Sequence, residues 1–329
     1  MHIIDSHFHW WPASVLKLLE ARNGFPRADI NKRGGYTYTG ANNRLGTVAS
    51  WAAWYDLEAE FEHMDNLGHQ VDVVGSIGPL SVAFSELPMS EGRDLALAWN
   101  EEMASAQHRY PGRFFGTAAV PMNDTTIAIE VLEDAVSRLG LIGANLPGSI
   151  GADPHIDAER LEPFYARVLE LNVPLFLHPT DAIFAEALSG YNEALHMSLG
   201  RVVEVSAAAM RLVYSGIMER HAGLKIVMSH TGGALPYQSG RMDKNGKRAG
   251  LPHAPSHYLQ QMYTDTVSPH KAGIKFAIEY YGIDRVMYGT DYPCWDPATC
   301  LALIDQIDLS EVEKRKLFVE NAQRILCLK

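Results

Sequence analysis

Short apolar runs recur along the chain, each closed by polar or turn residues. They fall at His2–Ser6, Val71–Ser76, Phe114–Val120, Ile142–Leu146, Val173–Leu177, Lys225–Ser229, Gln261–Asp265 and Arg285–Gly289, eight candidate strands in all. Their near-continuous hydrophobicity suits strands buried on both faces. The segments between them carry apolar residues at helical spacing. Leu57, Phe61, Met64 and Leu67 mark one face of Leu57–Leu67, and Thr125–Leu139 opens on Asn123-Asp124-Thr125, a sequence suited to capping a helix. Gly92–Tyr110, Glu159–Leu171, Glu204–His221 and His270–Tyr281 read the same way, and Pro297–Ile307 and Ser310–Ile325 close the chain with two amphipathic helices.

Strand and helix in eightfold alternation predict an α/β fold, a (β/α)8 barrel of the TIM type. A doubly wound open sheet is the competing architecture, and it usually carries a Gly-rich phosphate turn after its first strand. Here the first strand runs into Ser6-His7-Phe8-His9 instead. Two segments break the repeat: 10–56 after strand one and 231–260 after strand six, the second rich in Gly and Pro. They read as loop insertions, which on a barrel often shape the active site. With no internal repeat or linker, residues 1–329 read as one domain.

Composition narrows the class. Of 329 residues, 47% are hydrophobic and 20% charged, ordinary for a soluble enzyme with a large core. The net charge of −11 argues against a nucleic-acid binder, which needs a basic face. A local positive site for an anionic substrate stays open. The three cysteines, Cys294, Cys300 and Cys327, form no CxxC and fit a reducing compartment better than a disulfide framework. The N-terminal residues lack the basic and apolar regions of a signal peptide. No apolar run approaches the roughly 20 residues that span a bilayer. The expectation is a cytoplasmic protein without a membrane partner.

The chemistry begins at Asp5-Ser6-His7-Phe8-His9. Residues two apart on a strand point the same way, so His7 and His9 can present two imidazoles to one zinc, manganese or iron ion. A histidine near a strand end is as readily an ordinary hydrogen-bonded group, so the pair needs partners. Three candidates stand at later strand ends: His178 after the fifth, His230 after the sixth and Asp291 after the eighth. Catalytic residues of barrels come from the C-terminal ends of several strands, so these side chains can converge on one cavity.

With these motifs in place, the chain resembles the amidohydrolase superfamily, in the branch of aminocarboxymuconate-semialdehyde decarboxylase and γ-resorcylate decarboxylase. The resemblance rests on Ile4-Asp5-Ser6-His7-Phe8-His9, Phe176-Leu177-His178-Pro179, Ser229-His230-Thr231-Gly232-Gly233 and Tyr288-Gly289-Thr290-Asp291-Tyr292-Pro293. Tyr110-Pro111-Gly112-Arg113-Phe114 and Phe318-Val319-Glu320-Asn321-Ala322 extend it over nearly the whole chain. It implies that His7, His9, His178 and Asp291 bind one divalent ion, zinc or manganese, and that His230 stands beside it as an acid or base. Many hydrolytic members bridge two metals with a carbamylated lysine on strand four. Here that strand, Ile142-Gly143-Ala144-Asn145-Leu146, has no lysine, so one metal is expected. The resemblance also implies a homodimer.

The reaction implied is a non-oxidative decarboxylation of an aromatic or muconate-type carboxylic acid, with Asp291 or His230 delivering the proton. A hydrolase acting on a C–C bond of a ring-cleavage product, a lactone or an amide is the alternative, as is a hydratase of aromatic catabolism. By the same resemblance Arg241 is spaced like an arginine that holds a substrate carboxylate, a task suited to a guanidinium fork. Arg44, in the first insertion, is a second candidate. Phe8, Trp10, Trp11, Tyr292 and Trp295 adjoin the metal motifs and could wall an aromatic pocket or only pack loops. Among the remaining histidines, His196 and His257 lie in segments that could reach the site. Cys294 has no evident activating partner.

Overall fold

The computed structural model describes residues 1–32, 35–41, 45–49, 52–184, 187–191, 194–268 and 270–328, the segment 45–49 by its backbone. Its framework is a set of parallel strands. β1 (His2–His9) pairs with β5 (Gln70–Ser76), and β5 with β6 (Phe114–Gly116). A second group runs from β7 (Ala144–Pro147) through β8 (Leu175–His178) and β9 (Ile226–Met228) to β10 (Tyr263–Thr264), again all parallel. Between β1 and β5 lies an antiparallel sheet of β2 (Arg27–Ile30), β3 (Tyr36–Thr39) and β4 (Leu45–Ala49).

Single bridges join the two parallel groups into a ring. Ala118 pairs with Ala144 on one side. On the other, Val286 pairs with Thr264, and Tyr292 with Phe8. The ring is consistent with a TIM-type barrel. The eighth expected strand, Arg285–Gly289, therefore closes the ring without forming a regular ladder. Met287 N donates to Thr264 O and Ser6 N to Tyr288 O, each at 2.9 Å. Beyond that, side chains interrupt the ladder, with Gly289 N donating to Thr266 Oγ1 at 3.1 Å and Thr290 N to Asp5 Oδ1 at 3.1 Å, and backbone pairing resumes where Asp291 N donates to His7 O at 2.7 Å. The pairing of β1 also shifts register between Asp5 and Phe8.

Helices cover the ring much as the periodicity predicts: Leu57–Asn66, Met89–Arg109, Thr125–Glu133, Glu162–Leu171 and Lys271–Tyr281. Asp124 caps its helix by accepting from Ile127 N at 2.9 Å. Three expectations change. The segment 10–56, read as a loop insertion, holds the helix Ala13–Glu20 and the antiparallel sheet β2–β4. The helix expected over Glu204–His221 begins earlier and divides, into Arg201–Tyr214 and Ile217–Arg220. The segment 231–260, read as loop, is largely helical, with Leu235–Gly246 and Pro255–Leu259. Proline is favourable in a first helical turn, where its missing N–H costs nothing, and Pro236 and Pro255 stand there. The buried residues gather into one large cluster between ring and helices, with a smaller one of Ile4, Val74, Phe176, Val227 and Met287 within the ring.

Candidate metal centre and its cavity

His7, His9, His178 and Asp291, all buried, bring their donor atoms within 4.8 Å of one another at the C-terminal ends of the strands. The Nε2 atoms of His9 and His7 lie 2.9 and 3.3 Å from Asp291 Oδ1. Each imidazole is oriented by its other nitrogen. Nδ1 of His7 donates to Asp265 Oδ2 at 2.6 Å, Nδ1 of His9 to Ser76 Oγ at 3.0 Å, and Nδ1 of His178 to Pro179 O at 2.8 Å. A neutral imidazole that donates at Nδ1 carries its lone pair on Nε2.

Three Nε2 atoms and a carboxylate oxygen therefore converge. His178 Nε2 is buried with no hydrogen-bond partner, and the Nε2 atoms of His7 and His9 face each other at 3.2 Å. One unpartnered imidazole nitrogen and two more crowded against a carboxylate fit a divalent cation with nitrogen and oxygen ligands. On the fourth strand Asn145 is committed to the framework. Its Nδ2 donates to Ala118 O at 2.8 Å and its Oδ1 accepts from Ile77 N at 3.3 Å. No second metal-binding group occurs among the described residues.

The electrostatics agree with a cation site. Burial opposes a charge on His7, but the Asp291 and Asp265 carboxylates outweigh it and push His7 up to about 10. Burial and the neighbouring imidazoles hold His178 well below the ordinary histidine value. Burial also opposes ionisation of Asp291, yet His7 beside it, with hydrogen bonds from the imidazoles, keeps its carboxyl well below the usual range.

Backbone geometry makes the cluster possible. Asp291 has φ 61, a left-handed conformation that aspartate tolerates better than most residues. Gly289 must be glycine, because a Cβ there would sit 2.8 Å from His7 Cβ. Gly78, at φ +58, leaves room for the His9 ring, whose Cε1 would be 2.4 Å from an added Cβ.

His230 stands beside this group, with Nε2 3.7 Å from Asp291 Oδ2. His230 and Thr231 both have left-handed backbones, at φ 56 and 54, and their N–H groups donate to Asp265 at 3.2 and 3.0 Å. Asp265 thus fixes both a metal-site imidazole and the turn that presents His230. The sequence reading did not single it out, although Asp265 ends the seventh candidate strand just as His178 follows the fifth.

A cavity of about 630 Å³ opens over the cluster and is lined by His230, Asp291, Arg201, Val267, Cys294 and Trp295, among others. Not every expected pocket residue reaches it. Trp10 is buried against Phe114 at 5.5 Å between ring centroids, with Nε1 donating to Tyr55 O at 3.0 Å. Tyr292 stacks on buried Phe8 at 5.4 Å and shares a hydrogen bond with Glu60. The anchoring of both rings in packing explains why neither lines the cavity. Trp11 is held in the core by Ile77 O. Arg241 is exposed on the helix Leu235–Gly246 and is not part of the lining. Arg44 lies outside the described residues. His257 is exposed against His253, whereas His196 is buried 4.0 Å from Asp181. The arginine that does line the cavity, Arg201, was missed because the helix was expected to begin only at Glu204.

A ring of parallel strands with three imidazoles and a carboxylate at its C-terminal end defines a metal-site α/β protein. The family model described as Amidohydrolase matches residues 4–328, and the chain belongs to that family. It is 28% identical over 280 residues to γ-resorcylate decarboxylase of Polaromonas sp. strain JS666, covering 80% of this chain and 85% of the relative. It is 25% identical over 284 residues to 2-amino-3-carboxymuconate-6-semialdehyde decarboxylase of Dictyostelium discoideum, covering 83% and 77% of the two chains. Among solved structures it is similar to the dihydroxybenzoic acid decarboxylase of Polaromonas sp. JS666 with bound manganese and 2-nitroresorcinol. That match has a TM-score of 0.82 and 24% identity, and covers 99% of this chain and 97% of the other.

Proposed function

We propose that this protein is a metal-dependent, non-oxidative decarboxylase of an aromatic or muconate-type carboxylic acid, using one divalent ion, zinc or manganese. The observation that carries the reading is the convergence of the His7, His9, His178 and Asp291 donor atoms, with His230 beside Asp291 and these last two lining an open cavity. The named decarboxylase relatives support the same reaction class. When bound, the metal supplies Lewis-acid polarisation of a carboxylate and a neighbouring oxygen. The protein's residues do the rest. His7, His9, His178 and Asp291 hold and orient that centre. His230, with Nε2 3.7 Å from Asp291 Oδ2, or Asp291 itself delivers a proton to the carbon that loses CO2.

We read residues 1–329 as one domain, with 10–56 and 231–260 as insertions that tune substrate choice. Arg241 and Arg44 remain candidates for substrate anchoring, Arg241 toward atoms that extend beyond the lining, and Trp10 and Tyr292 are kept as residues beside the metal motifs. No helix among the described residues is long and apolar enough to cross a membrane. A cytoplasmic homodimer without nucleic-acid partners completes the reading.

The test is turnover of hydroxybenzoates and ring-cleavage acids by the metal-loaded protein in deuterated or oxygen-labelled water. Decarboxylation releases CO2 and places deuterium at the vacated carbon. Oxygen label in the product without CO2 release would refute it in favour of hydrolysis or hydration. An unchanged KM in Arg241→Ala across the carboxylated substrates would remove Arg241 from the site.

A further inference from the structure

Behind one wall of the cavity lies a charged pair that the metal chemistry does not use, and its arginine, Arg201, lines the cavity. Arg201, with only 13% of its side chain exposed, donates from Nε to Asp181 Oδ1 at 3.0 Å and from Nη2 to Asp181 Oδ2 at 2.9 Å. His196, also buried, lies 4.0 Å from the same carboxylate. Asp181 itself adopts φ 61, so the chain makes a left-handed turn three residues after His178 to place this carboxylate. Cys294 stands between this pair and the metal end: it lines the cavity with Arg201, and its N–H donates to Asp291 O at 2.8 Å.

A buried guanidinium is costly unless paired, and Asp181 provides that pairing. The pairing is one-sided. Asp181 takes the side of the fork formed by Nε and Nη2, whereas a guanidinium has five N–H donors. The end-on pair, one N–H from Nη1 and the second from Nη2, keeps the bidentate geometry that matches a carboxylate. Arg201 lines the same cavity as His230 and Asp291. At about 630 Å³ that cavity is of a size that holds drug-sized ligands, so it has room for atoms beyond those at the metal.

We infer that Arg201, braced by Asp181, forms a second anion subsite of the cavity, and that the substrate is an acid carrying a second carboxylate away from the one it loses. The inference deepens the decarboxylase reading and rests on it for the reacting end only. Arg201 acts in binding, and Asp181 is a positioning residue that sets the plane of the fork.

The test compares two probes with the same metal-facing hydroxy acid, salicylate and hydroxyterephthalate, which differ by the second carboxylate. Binding is measured by calorimetry on manganese-loaded protein, with CO2 followed in parallel. Wild type is expected to bind hydroxyterephthalate at least about tenfold more tightly, as a charge-assisted bidentate contact provides. Arg201→Met is expected to abolish that preference and to leave salicylate affinity within about twofold, since nothing at the metal changes. Arg201→Lys, a charge without the fork, is expected to keep only part of it. No preference in wild type, or equal weakening of both probes in Arg201→Met, would overturn the inference. If Arg201→Met fails to fold or to retain manganese, Arg201→Lys decides: a full preference there overturns the subsite, and a reduced one with salicylate unchanged supports it. Loss of the decarboxylase reading is separate, because it would appear as absent CO2 with the binding preference intact.

Discussion

His7 Nδ1 donates to Asp265 Oδ2 at 2.6 Å, and the same carboxylate accepts from the backbone of His230 and Thr231. One buried side chain therefore orients an imidazole of the metal group and holds the strained turn that carries the proposed proton donor. Residues in this position usually matter for affinity as much as for geometry. Asp265→Ala should weaken metal binding by about 10- to 100-fold. Asp265→Asn, which keeps an acceptor for Nδ1, should lose less. Chelator competition on both variants measures it, and metal affinity equal to wild type in Asp265→Ala would show that His7 is held by other contacts.

His178 supplies the buried Nε2 that has no protein partner. Its removal takes away one ligand of four and should leave His178→Ala with substoichiometric metal after dialysis, read by elemental analysis. In wild type, chelation should lower Tm by several degrees, and zinc or manganese should restore it, because a ligand bound to the native state alone adds stability by mass action. The same chelator should barely move the Tm of His178→Ala. A full metal complement in that variant would refute the ligand assignment.

Gly78 packs directly under the His9 ring, with an added Cβ 2.4 Å from Cε1 at a backbone φ of +58. Gly78→Ala therefore combines left-handed strain with a clash that only a tilt of the imidazole relieves. Strain at such a position costs about 1–3 kcal/mol, so Tm should fall. The tilt should also cost metal affinity, whereas Gly68→Ala, also left-handed at φ +74 but in open space, should lower stability without touching the metal. Equal metal affinity in both variants would show that His9 can repack.

What the sequence made legible follows from what it encodes locally. The alternation of apolar runs carries the ring, because each strand buries both faces. The metal group was legible because four donors fall just where strands end. Arg285–Gly289 was legible as an apolar run but not as an irregular strand, since its ladder is broken at Gly289, which donates to the side chain of Thr266, and no periodicity records that. Trp10 and Tyr292 adjoin the motif in sequence but turn into packing, and adjacency along a chain does not give side-chain direction. Arg201 escaped because a helix start shifted by three residues moves a side chain from loop to cavity wall. Asp265 carried a positional signal, the end of a strand, that lacked a motif to draw attention to it.

Glu204 gives a pH-dependent test away from the metal ligands. It is fully buried on the helix Arg201–Tyr214, with Oε1 accepting from Thr180 N at 2.9 Å and Thr180 Oγ1 at 2.6 Å, while Oε2 has no partner. Burial pushes its carboxyl up to about 7, against the opposing hydrogen bonds from Thr180. The native state therefore keeps a proton that the unfolded chain releases above its ordinary value of 4.5. Stability from this group is complete below that value and declines as pH rises toward 7, by about 3 kcal/mol in total. Glu204→Gln copies the protonated form at every pH. Relative to wild type it should be near neutral in Tm at pH ~5 and clearly stabilised at pH ~7.5, by a few degrees, since ~1 kcal/mol moves Tm by about 1–2 °C in a chain of this size. A difference between variant and wild type that stays constant across that range would show that Glu204 ionises as readily in the folded protein as in the unfolded chain.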